Sequence, residues 1–421
     1  MEKFKNYING QWVDAVSGKV FQNINPANQE DIIGEFALSA QADVDNAVGA
    51  AKAAYEQWRL VPAPKRGDLL RKAGDIFNRR KKELACIMTR EMGKPTFETE
   101  GDVQEAIDTA YYAASETRRL FGHTVPSEMD NKMNLSFRVP IGVVGVITAW
   151  NFPIAVPSWK ILPAIAAGNT IVFKPSKDAP HSGVIFAEIM QEAGFPKGVF
   201  NVLLGTGSMG DMIVKHPDVK VIGFTGSTEI GCKIAEICGR LNKRVSLEMG
   251  GKNAQIVMDD ANLELALEGA LWGAFGTTGQ RCTASDLQKG CFFEPTIIAD
   301  VDQTHTIFNE EVFGPVLCVA KADSFEHALQ LQNHCEYGLS GSIYTKDVNK
   351  AWVAAREIQT GICYINAPTI GAEAHMPFGG VKGTGNGHRE GGWTAFDIFT
   401  EWKTVYFDYS DKLQRAQIDN Y

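Results

Sequence analysis

Three residues of this chain have the types and settings that acyl chemistry needs: Cys282, Glu248 and Asn151. Cys282 lies in Phe275-Gly-Thr-Thr-Gly-Gln-Arg-Cys282, after the apolar, helix-like run 263–272. The glycines of that stretch permit unusual dihedrals and close approach, so the thiol is delivered by a loop. Glu248 is followed by Met-Gly-Gly-Lys252, and Asn151 stands in Ala149-Trp-Asn-Phe-Pro153. A thiolate can attack a carbonyl carbon, a carboxylate can activate water, and an amide can hold an oxyanion. Each residue also has a plainer reading. A free cysteine is usually a small core hydrophobe, and Glu248 could be a buried ion-pair partner of a lysine such as Lys160. The glycine pair after Glu248 argues for close approach of a ligand.

Elements that could hold these residues follow from periodicity. Strand-like runs at 142–148, 170–174, 200–204, 219–224 and 244–247 alternate with helical runs at 158–167, 179–193, 209–215 and 228–238. That alternation predicts an open parallel sheet covered on both faces. A second α/β stretch runs from 254 to 399. Ahead of the sheet, 6–12 reads as a hairpin with Asn-Gly at its turn. Segments 43–58, 65–91 and 95–121 read as covering helices. Segment 124–138 is polar and strand-like, and the alternating 402–409 reads as a pairing strand.

Two glycine turns compete for a phosphate. Gly205-Thr-Gly207-Ser-Met-Gly210 matches G-x-G-x-x-G after a strand, the dinucleotide pattern. However, no acidic residue ends a strand about twenty residues on, where the fingerprint requires one. Gly226-Ser227-Thr-Glu-Ile-Gly231 offers the same physics one unit later: a glycine turn, a hydroxyl and bare N–H groups at a helix start. A tight strand-to-helix turn is the plain reading of both.

Composition limits the alternatives. The chain has 421 residues, long enough for two or three domains. Net charge is −9 with no basic block, so nucleic acid is not an expected partner. Apolar runs are too short to span a bilayer, and the start carries no signal-like stretch. Eight dispersed cysteines form no C-x-x-C pair, which suits a reduced, cytoplasmic setting. Histidine spacing predicts no catalytic metal.

Seven motifs stand in order: Trp150-Asn-Phe-Pro153, Lys174-Pro-Ser176, Phe224-Thr-Gly-Ser-Thr-Glu-Ile-Gly231, Glu248-Met-Gly-Gly-Lys252, Gly279-Gln-Arg-Cys282, Glu311-Val-Phe-Gly-Pro315 and Pro377-Phe-Gly-Gly380. With them the chain resembles the aldehyde dehydrogenase superfamily from about Tyr7 to Val405. The resemblance implies a Rossmann-like parallel-sheet cofactor domain (1–122 and 143–249), an α/β catalytic domain (250–399) and a small β oligomerisation arm (123–142 and 400–421). It implies NAD or NADP as cofactor, a small aldehyde as substrate and a homodimer or homotetramer. Cys282 would be the nucleophile, Glu248 the base that activates water, and Asn151 an oxyanion donor. Trp150, Lys174, Ser176, Gly226, Ser227, Gly250, Glu311 and Phe313 would contact the cofactor, with Gly207 lining the adenine. Phe152 and Phe378 would line the aldehyde path. Lys177 stands where NAD-preferring members often carry glutamate. It implies tolerance of NADP, or else it is a solvated surface charge. The loop 366–376 holds no arginine to clamp a carboxylate tail.

One departure is large. Only Thr283 to Gly290 joins the cysteine to Cys291-Phe-Phe-Glu-Pro-Thr-Ile, where the family has roughly 60 further residues of strands and helices. A joint at 285–286 predicts an exposed sheet edge, uncovered apolar surface and weak or absent turnover. A shortened relative, a damaged gene product and a parent chain with residues left out are all consistent with it. Two rival functions remain open. One is a relative that binds cofactor without turnover. The other is a CoA-acylating enzyme, a branch that generally lacks the base at Glu248.

Overall fold

The computed structural model of the chain describes residues 1–280 and 292–418. Cys282 and the 285–286 joint lie outside the described residues.

Five parallel strands form the centre of the larger sheet. In space they run Arg244–Glu248, Val219–Thr225, Val143–Ile147, Thr170–Lys174 and Phe200–Val202. They are rich in β-branched residues and mostly buried on both faces, as parallel strands under helices are. The five strands expected from the alternation are present and parallel, with one addition. The hairpin Asn6–Ile8 and Gln11–Val13 extends the sheet antiparallel, through Val202↔Tyr7. Asn9 and Gly10 make its turn at φ 50° and 74°, the left-handed pair that matches strand twist.

The chain order of the strands reverses between Val143–Ile147 and Val219–Thr225. In open sheets ligands bind in the crevice at such a reversal. Trp150 and Asn151 follow the first of these strands, and Gly226 and Ser227 follow the second. The loop at Gly205 follows Phe200–Val202, on the far side of the sheet.

Helix Ala155–Ala167 is buried along its whole length. It is apolar on most of its surface, as an enclosed helix is, with Ser158 and Lys160 the polar exceptions, and it packs against helix Thr96–Glu116. The expected helical stretch 65–91 breaks at Arg80 into Ala63–Arg79 and Lys81–Met92. The expected strand 124–138 is two strands, His123–Pro126 and Lys132–Pro140, paired with each other. Strand Thr400–Asp408 pairs antiparallel with Lys132–Pro140 from Thr400↔Pro140 to Asp408↔Lys132. Strands Lys3–Phe4, Val20–Ile24 and Ile32–Ala37 form a further sheet that local pattern does not reveal.

The described strands of the 250–399 region form a three-stranded sheet, Ala254–Val257, Ser340–Tyr344 and Ile362–Ile365, with Ala254–Val257 at one edge, and two strand pairs, Thr296–Ile298 with Val316–Cys318 and Tyr337–Gly338 with Val381–Lys382. Helix Leu263–Phe275 starts at Asn262, whose side chain accepts from the Leu265 N–H. Among its residues only Ala266 and Gly269 are buried. Leu263, Leu265, Leu267, Leu271 and Trp272 are exposed, as is Val257 on the edge strand.

Candidate active site

The turn that leads to the cysteine is held in an uncommon backbone. Thr277, Thr278 and Gly279 all have positive φ, at 56°, 55° and 69°. Two threonines in that region store strain that surrounding structure must over-determine. Gly279 is required sterically as well, since a Cβ there would lie 2.3 Å from the Gly314 carbonyl carbon. Gln280 ties the turn to two places. Its side-chain amide donates to the Met92 carbonyl at 3.0 Å, and its own carbonyl accepts from Asn151 Nδ2 at 3.1 Å. Asn151 is therefore joined to the backbone two residues before Cys282, and its second amide hydrogen remains for a ligand.

A buried pair fixes the Asn151 loop from behind. Lys94 and Asp102 are fully enclosed, with Nζ 3.3 Å from Oδ2. Asp102 Oδ1 accepts from the N–H of Ala155 at 2.7 Å, at the first residue of the buried helix. Lys94 Nζ sits 3.4 Å from the centroid of the Phe152 ring, a close cation–π contact. Burial pushes the Asp102 carboxyl up, and the Lys94 charge and backbone N–H groups oppose that. Sequence pattern marks neither residue. The Met92-Gly-Lys94-Pro95 turn is the available signal. Phe152, expected on the aldehyde path, makes this contact with Lys94.

Glu248 ends the edge strand of the parallel sheet and is buried. Its Oε2 accepts from the Gly380 N–H at 3.3 Å. Its Oε1 has no hydrogen-bond partner among the described residues. A Cβ at Gly379 would come within 2.4 Å of Oε1, so only glycine leaves the carboxylate room. Burial pushes the Glu248 carboxyl up to about 8, against the opposing charges of Lys160 and Arg389. Lys160 does face Glu248 electrostatically. Its hydrogen bond, though, goes to the buried Glu390. Burial lowers the Lys160 ammonium to about 7. Three ionisable groups thus share a dry space, and nothing in the local sequence singles out Glu390. Its backbone bridges Phe378, and the Phe378 ring stacks obliquely on Trp159 at 4.7 Å.

The expected cofactor residues fall along the crevice. Ser227 caps helix Thr228–Arg240, accepting from the Ile230 N–H. A Cβ at Gly226 would strike the Phe224 ring at 2.5 Å. Lys174 is buried, with Nζ on the Pro175 carbonyl at 3.0 Å, and burial lowers its ammonium to about 8. Gly207 opens helix Gly207–Lys215 with open space beside it. Gly210 of the same turn lies near the Lys174 stem. Ser176 Oγ accepts from the Asp178 N–H at 3.2 Å. Lys177 is exposed and pairs with Asp178 at 2.7 Å. Glu311 Oε1 accepts from the Gly251 N–H at 2.9 Å, and a Cβ on Gly250 would meet the Glu311 carboxylate. Phe313 holds φ 64°, and its ring meets Trp150 edge-on at 5.6 Å. Among the described residues no cluster of His, Cys, Asp or Glu could hold a metal, and no helix is long and apolar enough to cross a membrane.

The sheet reversal, the buried carboxylate and the amide beside the strained turn define an α/β enzyme with a ligand crevice. The profile of the aldehyde dehydrogenase family matches residues 12–287 and 284–405, and the chain belongs to that family. It is 35% identical to the α-ketoglutaric semialdehyde dehydrogenase of Bacillus subtilis, over 96% of this chain and 98% of that protein. The fold matches an NAD-dependent aldehyde dehydrogenase from Sinorhizobium meliloti with a TM-score of 0.95 and 30% identity, over 98% of this chain and 96% of that one. It matches an NADP-dependent enzyme of E. coli with a TM-score of 0.93 and 31% identity, over 96% and 98%. The protein is an aldehyde dehydrogenase.

Proposed function

We propose that the chain oxidises an aldehyde to a carboxylic acid with NAD or NADP, through a thioester on Cys282. The observation that carries this reading is Glu248: buried, raised in pKa, and with its Oε1 beside Gly379 and without a hydrogen-bond partner among the described residues. A base of that kind serves hydrolysis of an acyl-enzyme. The Cys282 thiolate attacks the carbonyl carbon, and Asn151 steadies the oxyanion. After the carbon loses hydride, Glu248 takes a proton from water as the water attacks the thioester. The carbon–sulfur bond breaks, the acid leaves and the Cys282 thiolate is restored.

The crevice suits a dinucleotide. The helix start at Ser227 presents N–H groups to a phosphate, and a Cβ at 226 or 250 would strike Phe224 or Glu311, so both positions stay bare. Lys174, Ser176, Ser227, Glu311, Phe313 and Trp150 would hold the cofactor, which when bound accepts the hydride. Gly226 lies at the sheet reversal, which favours it over the turn at Gly205.

Lys177→Glu is expected to raise the preference for NAD over NADP by roughly tenfold, because a carboxylate repels a 2′-phosphate. Asp178 already partners Lys177. An unchanged ratio of kcat/KM for the two cofactors would make Lys177 a solvated surface charge.

We assign 1–122 and 143–249 to the cofactor domain, 250–399 to the catalytic domain, and 123–142 with 400–421 to the arm. Exposed Met133, Phe137, Trp402, Tyr406 and Phe407 on the arm's strands support pairing with a second copy as a homodimer or homotetramer. Sedimentation showing only monomer would remove that assignment.

We further infer that the catalytic domain is shortened near 285–286. Two separate family matches meet at 284–287. The alignment to the Bacillus subtilis relative spans 476 positions, against about 404 residues here, 96% of 421. The exposed leucines of helix Leu263–Phe275 fit the loss of a covering layer. Turnover should therefore be weak.

Incubation with a simple aldehyde tests the reading. Acid formed without CoA supports it. Thioester formed only with CoA would replace it with acyl transfer, and cofactor binding without any product would make the chain an inert relative.

A further inference from the structure

We propose that Lys94 and Asp102 are positioning residues for the first chemical step, holding the Asn151 loop at a fixed separation from the turn that precedes Cys282. The inference rests on the reading of Asn151 as oxyanion donor and Cys282 as nucleophile. Asp102 belongs to helix Thr96–Glu116 but acts on the start of another helix. Ile154, at the N-cap of Ala155–Ala167, makes no side-chain cap bond, and a helix start needs acceptors for its bare N–H groups. The Asp102 carboxylate supplies them, to Ala155 at 2.7 Å and to Ile154 as well. A negative charge there also complements the helix dipole.

Lys94 adds a second hold. Its Nζ lies 3.3 Å from Asp102 Oδ2 and 3.4 Å from the Phe152 ring centroid, where the ring face attracts it. Phe152 is next to Asn151, so one ammonium ties the carboxylate to the loop that carries the amide. Just before Lys94, the Met92 carbonyl accepts from Gln280 Nε2 at 3.0 Å. Gly93, at φ 77°, makes the turn between them. The Gln280 carbonyl accepts from Asn151 Nδ2 at 3.1 Å. The contacts thus close a ring: Met92, Lys94, Phe152, Asn151, Gln280 and back to Met92. A closed ring fixes a distance that any single contact would leave adjustable. Here the distance is that between the Asn151 amide and the backbone that precedes the cysteine. A donor aimed at a developing oxyanion loses effect when displaced, and a misplacement of about 1 Å costs on the order of 10²-fold in rate.

The test uses the full chain and removes both charges together, because Lys94→Met alone would strand a buried carboxylate. Lys94→Met with Asp102→Asn keeps an acceptor for the Ala155 N–H and releases Phe152. In this double variant the single-turnover burst of reduced cofactor should slow by about 10²-fold, with the cofactor Kd within about twofold of the parent. Asn151→Ala should itself slow the burst by about 10²–10³-fold. Adding the double variant to Asn151→Ala should slow it no further, since both act through one amide. A role in stability alone predicts losses that multiply. Hydrogen exchange read by peptide mass spectrometry reports the placement without turnover. In the double variant 151–156 and 277–280 should exchange roughly tenfold faster, while 170–174 exchanges as in the parent. A burst at the parent rate, losses that multiply, cofactor binding lost with the burst, or unchanged exchange at either segment would overturn the inference. If the parent gives no burst, or Asn151→Ala keeps it, the oxidation or oxyanion reading is what fails. Faster exchange at both segments then sustains the placement, and unchanged exchange removes it.

Discussion

Cys282→Ala protein is expected to oxidise no aldehyde above background while binding NAD or NADP as the parent does. The expectation separates two sets of residues. The proposed phosphate and ribose contacts at Lys174, Gly226 and Ser227 belong to the parallel sheet and its loops, and Glu311 lies outside it, between Thr306–Asn309 and Val316–Cys318. The thiol follows the strained turn at 277–279 by three positions in the sequence. Removing a nucleophile deletes the covalent route altogether, since neither Glu248 nor Asn151 can form the thioester. Single-turnover absorbance of the reduced cofactor, with a binding titration alongside, measures both. Residual oxidation near the parent rate would sink Cys282 as nucleophile. Loss of cofactor binding together with activity would instead mean that the substitution had disturbed the crevice.

Glu248→Gln is expected to keep the first burst of reduced cofactor and slow steady-state acid formation by about 10²–10⁴-fold, the span a positioned general base supplies. The pH dependence follows from the same group. Burial holds the Glu248 carboxyl at about 8, so at neutral pH it is mostly protonated and cannot accept a proton. Raising the pH through about 8 converts it to the base, and acid formation should climb with it. The Glu248→Gln variant should lack that climb, because an amide does not titrate. A burst and a steady state reduced equally would refute the two-step assignment, as would an unchanged pH profile in the variant.

Lys160 and Glu390 show how far the sequence reaches around this base. Lys160 is visible as a candidate ion-pair partner, and it does bear on Glu248. Its hydrogen bond to Glu390 joins residues 230 positions apart. Such contacts depend on how Trp159 and Phe378 pack, and no local period encodes that. Lys94 and Asp102 make the same point. On helix Thr96–Glu116, Asp102 reads as one more acidic residue among several. Only the fold puts it under the first turn of Ala155–Ala167, where it fixes the loop bearing Asn151.

The residue types needed for the chemistry are legible in the chain itself: Cys282 among glycines, Glu248 before a glycine pair, Asn151 before Phe-Pro. So is the alternation of strands and helices, because burial imposes periods of two and 3.6 on apolar positions. The strand order was decided by tertiary structure alone. It sets the reversal between Val143–Ile147 and Val219–Thr225, and so favours the turn at Gly226 for the phosphate over the better-looking motif at Gly205. The docking of the 6–12 hairpin on the sheet edge and the split of 124–138 into two strands were decided there too. Pairing partners are chosen by long-range hydrogen bonding and packing, whereas each segment's own pattern specifies only which of its faces must be buried.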